Sequence, residues 1–218
     1  MRELKIFIVD DHPIVIKGLR EIINIEKDMF VVGDSQTFKE SLIKIAELKP
    51  DIAIVDIILD GESNGIELVR SLKAKYPDIK TIVLSMYDEA LYAEHAIKAG
   101  ARGYVMKKEV AEKIITAIRK AFIGGIYLSE AISDKILNKA LNPTSRKNSD
   151  LSILGCREFE VFQYIGNGLT TKEISKRLEI TSNTVESHKK NIRKKLDIKN
   201  SVELTKYAIH WTVMKNNI

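Results

Sequence analysis

The chain has one cysteine, Cys156, in 218 residues, so no internal disulfide can staple it. One thiol with four scattered histidines also offers no zinc-ligand spacing. With 4 prolines and 11 glycines, a collagen-like or turn-dominated low-complexity chain is excluded. No apolar run approaches the roughly 18 residues that would cross a bilayer. Met1-Arg2-Glu3 leads straight into a strand-like run without the apolar stretch of a signal peptide, so the expected location is the cytoplasm. What remains is 44% hydrophobic and 30% charged, a globular composition long enough for one large domain or two ordinary ones.

Charge is unevenly placed. Residues 1–140 hold 21 Lys and Arg against 22 Asp and Glu, whereas 141–218 hold 14 against 8, which makes up the net +5. A basic last third points to a module that meets a polyanion, joined to one that does not.

Hydrophobic periodicity divides the chain at the same place. Five β-branched apolar runs, Leu4–Val9, Phe30–Gly33, Ile52–Val55, Thr81–Leu84 and Gly103–Met106, are nearly continuous, as strands covered on both faces must be. Helical periods fill the intervals: Pro13–Asn24, Phe38–Leu48, Gly65–Tyr76, Glu89–Ala99 and Ala111–Ile123. This (βα)5 order predicts an α/β domain over 1–123, a doubly wound parallel sheet whose ligands lie beyond the carboxyl ends of its strands. Residues 124–150 read as a linker carrying a short helix at Ser129–Leu141, with a polar, turn-rich stretch from Asn142 to Ser149. Only helical periods follow, over Cys156–Asn167, Lys172–Glu179, Ser182–Leu196 and Ser201–Met214, so 151–218 is expected to be a small all-α bundle.

The strand ends carry the chemistry. The first strand ends in Asp10-Asp11 and the third in Asp56, so three carboxylates should converge on one edge of the sheet. Their mutual repulsion calls for raised pKa values or a hard divalent cation with oxygen ligands, for which Mg²⁺ fits best. Ser85 ends the fourth strand and Lys107 follows the fifth. Metal, hydroxyl and ammonium around one carboxylate are the equipment of phosphoryl transfer, neutralising the moving phosphoryl group while an aspartate oxygen attacks it.

Residues 1–123 resemble the receiver domain of a two-component response regulator. The resemblance rests on Ile8-Val9-Asp10-Asp11-His12-Pro13, Ile54-Val55-Asp56-Ile57-Ile58-Leu59, Leu84-Ser85 and the run Ala99-Gly100-Ala101-Arg102-Gly103-Tyr104-Val105-Met106-Lys107. It implies that Asp56 accepts a phosphoryl group from a sensor histidine kinase, and that Asp11 and Asp56 ligate Mg²⁺ directly. Asp10 would act through a water, and the backbone carbonyl of Ile58 would add a ligand. It further implies a switch in which Ser85 closes on the phosphoryl group and Tyr104 turns inward. Three features depart from the family. The loop Leu59-Asp60-Gly61-Glu62-Ser63-Asn64-Gly65 is long and lacks Met-Pro, so metal affinity or phosphoryl lifetime should differ. Lys108 follows Lys107, and the resemblance implies Lys107 as the inward residue, because its spacing from Ser85 and Tyr104 is that of the family. His12-Pro13 is read as a helix start, with no catalytic part for the histidine.

In the basic third, Ser182–Leu196 carries Val185, Ile192 and Leu196 on one stripe, with Asn183, Glu186, Ser187, Lys189, Lys190, Arg193 and Lys194 elsewhere. That is the division a recognition helix needs, core on one side and donors on the other. Thr170–Ser175 caps a supporting helix, and Thr181 or Ser182 caps this one. Leu154–Met214 resembles the LuxR-type helix-turn-helix domain through the runs Arg157–Phe162, Gly168–Ser175 and Thr184–Leu196. The whole is thereby similar to a response regulator of the NarL/FixJ group. By position, the resemblance sends Glu186, Ser187 and Lys190 to base edges of promoter DNA, with cytosine suited to Glu186 and guanine to Lys190. Lys172, Thr184, Lys189, Arg193 and Lys194 would meet phosphates. Val202, Leu204, Thr205 and Ala208 lie on the last helix, which in the family supports a homodimer; for Leu204 and Ala208 internal packing is an equal alternative, and Tyr207 and Trp211 are expected to pack internally. Gly155 stands where the family usually caps its helix with Ser or Thr, so that start should fray more readily.

The expected protein is a transcription regulator and not a turnover enzyme, with RNA polymerase as a further partner and no membrane association. Two other readings keep their own signatures. A phosphatase on this sheet needs an Asp-x-Asp pair, and position 58 is Ile. A factor switched by a ligand or partner without phosphorylation would have no use for Asp10, Asp11, Asp56, Ser85 and Lys107 together.

Overall fold

Packing divides the chain of the computed structural model into two units, Met1–Asn142 and Pro143–Ile218. The described residues are 3–59, 63–86, 89–141 and 151–216. The expected linker stretch 142–150 and Asp60, Gly61 and Glu62 lie outside them, as does the side chain of Cys156.

The first unit has five strands in one parallel sheet, β1 Leu4–Val9, β2 Met29–Ser35, β3 Ile52–Asp56, β6 Lys80–Ser85 and β7 Gly103–Met106. Their order is β2-β1-β3-β6-β7. The helices between them are α1 Pro13–Asn24, α2 Phe38–Leu48, α3 Gly65–Lys75, α4 Glu89–Ala99 and α5 Val110–Phe122. Helices cover both faces, so the central strands are buried at nearly every position, whereas edge strand β2 is only partly so. All five positions of β3 are buried, and Ile6, Ile8, Ile54, Ile82 and Leu84 pack with Ile114 and Ile118 of α5 in one core. Pro13 opens α1 at its first turn, and the Thr37 hydroxyl caps α2 by accepting from Glu40 N.

From β1 the chain passes to β2 on one side, then returns to β3 on the other. The strand order reverses between β1 and β3, which opens a crevice at their carboxyl ends.

Two features differ from the sequence reading. The stretch after Asp56 is not wholly a loop: β4 Ile58–Leu59 and β5 Ser63–Asn64 pair antiparallel. Such two-residue strands are too short for periodicity to register. Residues 124–141, expected within the linker, belong to the first unit. Gly103 bridges Tyr127 in parallel fashion, Tyr104 N donates to Tyr127 O at 3.0 Å and Tyr127 N donates to Arg102 O at 2.9 Å. The next helix, α6 Glu130–Leu141, begins where Ser129 N donates to the Glu89 carboxylate at 2.8 Å. A sheet edge needs its backbone groups satisfied, and this segment does so for β7.

The second unit contains α7 Cys156–Gly166, α8 Thr171–Leu178, α9 Ser182–Lys195 and α10 Ser201–Asn216. Phe159, Phe162, Ile174, Val185, Ile192, Leu204 and Ala208 are buried. Trp211 and Tyr207 pack on α7, with Trp211 edge-on to Phe159 at 5.5 Å between centroids and Tyr207 at 5.7 Å from Phe162. Tyr207 and Trp211 pack internally as expected, and of the two readings left open for Leu204 and Ala208 their burial selects the internal one. No helix among the described residues is long and apolar enough to cross a membrane.

Candidate phosphoryl site and nucleic-acid interface

Parallel register delivers the acidic residues to one place. Val9 is level with Val55, so Asp10 and Asp56 are the next pair along neighbouring strands. Asp56 is level with Leu84, one residue short of Ser85, and Ser85 is level with Met106, one short of Lys107. Asp10 is fully buried, and Asp56 and Ser85 nearly or wholly so.

Lys107 Nζ lies 2.7 Å from Asp10 Oδ2 and 2.7 Å from Asp56 Oδ2, with 9% of its side chain exposed. Lys108, the rival residue, is exposed. Burial alone would push the Lys107 ammonium toward neutrality, but the Asp56 charge and the hydrogen bonds to Asp10 and Asp56 outweigh it and hold the pKa above the usual lysine range. The site therefore keeps a fixed positive charge against two carboxylates.

His12 joins the cluster, contrary to the reading of it as a helix start only. Its backbone N–H donates to Asp10 Oδ1 at 2.9 Å, and its Nδ1 lies 2.6 Å from Asp11 Oδ1 and 3.2 Å from Asp10 Oδ1. The only signal in the sequence was its adjacency to the two aspartates. One donor atom each from Asp10, Asp11, His12 and Asp56 fall within 4.8 Å of one another, close enough to hold a metal ion. Three carboxylates make this donor set predominantly hard oxygen, which fits a hard divalent cation.

The Ile58 carbonyl, expected as a further ligand, sits in the short hairpin opposite Asn64. The hairpin is closed by Gly65 N donating to the preceding carbonyl, that of Ile57, at 3.0 Å. Gly65 is a functional position that the sequence reading missed. A Cβ there would stand 1.8 Å from the Asp56 carbonyl oxygen, so only glycine lets α3 start this close to the acidic strand end. Tyr104 is already inward, with 1% of its surface exposed.

In the second unit, Thr181 caps α9 by accepting from Thr184 N at 3.1 Å, and Thr170 with Glu173 forms a capping box on α8. Val185 and Ile192 face the core, and Leu196, the third member of the expected stripe, is half-buried. Lys172, Thr184, Glu186, Ser187, Lys190 and Lys194 are exposed, while Lys189 and Arg193 are half-buried. Lys189 does not reach outward like the others: its Nζ hydrogen-bonds Thr171 Oγ1 and lies 3.1 Å from Glu186 Oε1. Thr171 Oγ1 donates to the same Glu186 oxygen at 2.7 Å. That bond, then the Lys189 contacts, holds the Glu186 carboxyl below its usual range.

Gly155 lacks a side chain, yet its N–H donates to Glu158 Oε2 at 2.7 Å, and Lys195 Nζ lies 2.6 Å from the same oxygen. Half of a capping box thus persists at α7, with a lysine of α9 attached to it. Val202 and Thr205 of α10 are exposed, Val202 at 65%, as an intermolecular contact requires.

Residues 6–119 match the response regulator receiver domain family, and residues 152–208 match the luxR family of bacterial regulatory proteins. The oxygen regulatory protein NreC of Staphylococcus carnosus is 33% identical over 210 residues, which cover 94% of this chain and 97% of that protein. NreC of Staphylococcus aureus strain MRSA252 is 31% identical over 210 residues with the same coverage. Among solved structures, RcsB of Salmonella enterica serovar Typhimurium, bound to promoter rprA with phosphomimetic BeF3−, is similar with a TM-score of 0.60 and 25% identity. That match covers 95% of this chain and 98% of RcsB. A LuxR-family two-component response regulator from Aurantimonas sp. SI85-9A1 is similar over 64% of this chain and 99% of its own, with a TM-score of 0.58 and 29% identity.

Proposed function

The chain belongs to the response-regulator family that joins a receiver domain to a LuxR-type DNA-binding domain, and we propose that the phosphoryl group enters it at Asp56. It is a phosphorylation-dependent, DNA-binding transcription regulator of a two-component system.

The observation that carries the assignment of the site is Lys107 bridging the Asp10 and Asp56 carboxylates at the crevice between β1 and β3. An Asp56 oxygen forms a bond to the phosphorus of a kinase phosphohistidine as the donor N–P bond breaks, and the departing imidazole takes up a proton. Lys107 stabilises charge on the transferring oxygens, and the Ser85 hydroxyl donates to one of them once they arrive. Asp10, Asp11, Asp56 and the Ile58 carbonyl would hold Mg²⁺, which when bound supplies further neutralisation of those oxygens. The reaction is stoichiometric self-modification with slow hydrolysis rather than turnover.

The added charge, roughly −1.5 to −2, falls on a site where Ser85 ends β6 and Tyr104 lies on neighbouring β7, level with Val83. The helical unit then binds promoter DNA through α9, with a homodimer as the bound form; solved RcsB dimers on DNA support that state. A sensor histidine kinase and RNA polymerase complete the set of partners, and the cytoplasm is where all of them meet.

The test is labelling by a small phosphodonor such as acetyl phosphate. Incorporation should require Mg²⁺, disappear in Asp56→Asn, and be followed by tighter binding to a selected duplex. Full labelling of Asp56→Asn would remove Asp56 from the mechanism. A ligand-switched factor would instead leave DNA affinity unchanged under saturating phosphodonor.

A further inference from the structure

We propose that Thr171 and Lys189 hold Glu186 in place as a fixed acceptor, and that this clamp makes the regulator select a cytosine in its operator. The proposal rests on α9 being the helix that enters the major groove. Glu186 is an unusual group to present to an anionic duplex, because a mobile carboxylate would be repelled by phosphates and lose rotamer freedom on binding.

Here the side chain is 57% exposed yet constrained. Thr171 Oγ1, from the first turn of α8, donates to Glu186 Oε1 at 2.7 Å. Lys189 Nζ, one turn on along α9, lies 3.1 Å from the same oxygen and also hydrogen-bonds the Thr171 hydroxyl. The lysine, with 18% of its side chain exposed, is engaged here rather than extended toward solvent. It offsets the negative charge locally and keeps the carboxyl ionised.

Both contacts end on Oε1, which leaves Oε2 as the acceptor available to a base. An ionised carboxylate only accepts hydrogen bonds, so its partner must be a base-edge donor. In the major groove those donors are the cytosine N4 and adenine N6 amino groups. Adenine places its N7 acceptor beside N6, which repels a second acceptor, whereas cytosine has no such neighbour on that edge. A carboxylate held in one position therefore favours cytosine. Thr171 is a positioning residue in this scheme, acting through Glu186.

The experiment is selection of duplexes from a randomised pool by the full-length, phosphorylated protein, followed by competition measurements on the selected duplex and its single-base variants. The wild type should select a motif with a cytosine whose replacement weakens binding about tenfold, the effect of losing one good base contact. Thr171→Val, which removes only the hydroxyl, should flatten that single position while the rest of the motif persists, and Thr171→Ser should restore it. Glu186→Gln should shift the preference toward adenine, which pairs with an amide through N6 and N7. Far-UV circular dichroism and melting of each variant establish that α8 and α9 are folded.

A cytosine preference unchanged in Thr171→Val, or a selected motif indifferent to Glu186→Gln, would overturn the clamp. A uniform loss of affinity across all sequences would do the same, since it marks a phosphate contact or a purely structural role. Failure of the wild type to select any motif would count instead against α9 as the reading helix.

Discussion

Lys107 decides how the acidic strand ends coexist. With the ammonium gone, Asp10 and Asp56 would face each other in a buried site without their shared counter-charge. Lys107→Met is therefore expected to destabilise the first unit by about 3 kcal/mol in chelator, as when one partner of a buried pair is removed. Excess Mg²⁺ should return part of that loss by binding only the folded site. Urea unfolding with EDTA and with Mg²⁺ measures both. The pKa of Lys107 is raised in the folded state, so its contribution is complete below the unfolded value of about 10.4. It is lost as pH climbs through the higher folded value, and the variant should lack that alkaline component. The residue types at this site were legible because each closes an apolar run. Lys107 and Lys108 follow the same strand, and the choice of Lys107 rested on its spacing to Ser85 and Tyr104; in the fold Lys107 reaches the two carboxylates and Lys108 is exposed.

At the scale of elements, the hairpin after Asp56 and the helix starts are where short-range sequence signals ran out. Gly65→Ala would drive a methyl group into the Asp56 carbonyl. It should slow phosphodonor labelling more than about tenfold and lower stability by more than about 1 kcal/mol, as overpacking against rigid backbone does. Labelling time courses and denaturant titration read the two effects. The expected fraying of α7 is answered by Glu158, which accepts from Gly155 N although Gly155 has no side chain to cap with. Gly155→Ser should still raise the helical unit's stability by a few tenths of a kcal/mol, because its extended backbone suits a serine cap and a Cβ there meets only ordinary contacts. His188 on α9 is half-buried. Burial lowers its pKa most, with the Glu158 charge opposing and Arg157 assisting. Neutral His188 is thus the folded form. The stability it protects is present above its unfolded pKa of about 6.5 and falls as pH drops below that value. Melting of the helical unit between pH 7.5 and 5 should slope downward, and His188→Gln should flatten the slope.

For the whole molecule, two units with separate cores predict two unfolding transitions by calorimetry. Lys107→Met should move one of them and His188→Gln the other. The sequence by itself determined that there are two modules, which strands are buried on both faces, and which acids end them. Those are properties of local periodicity and composition, and each is read within a dozen neighbouring residues. Only the tertiary structure decided that Lys107 bridges Asp10 and Asp56, that His12 leans on both leading aspartates, that Tyr127 closes the β7 edge, and that Thr171 and Lys189 fix Glu186. Most of those contacts join residues far apart along the chain, and even His12 was set beside the acids by the fold and not by its position alone. Their geometry follows from strand register and helix packing, which a one-dimensional pattern constrains without specifying.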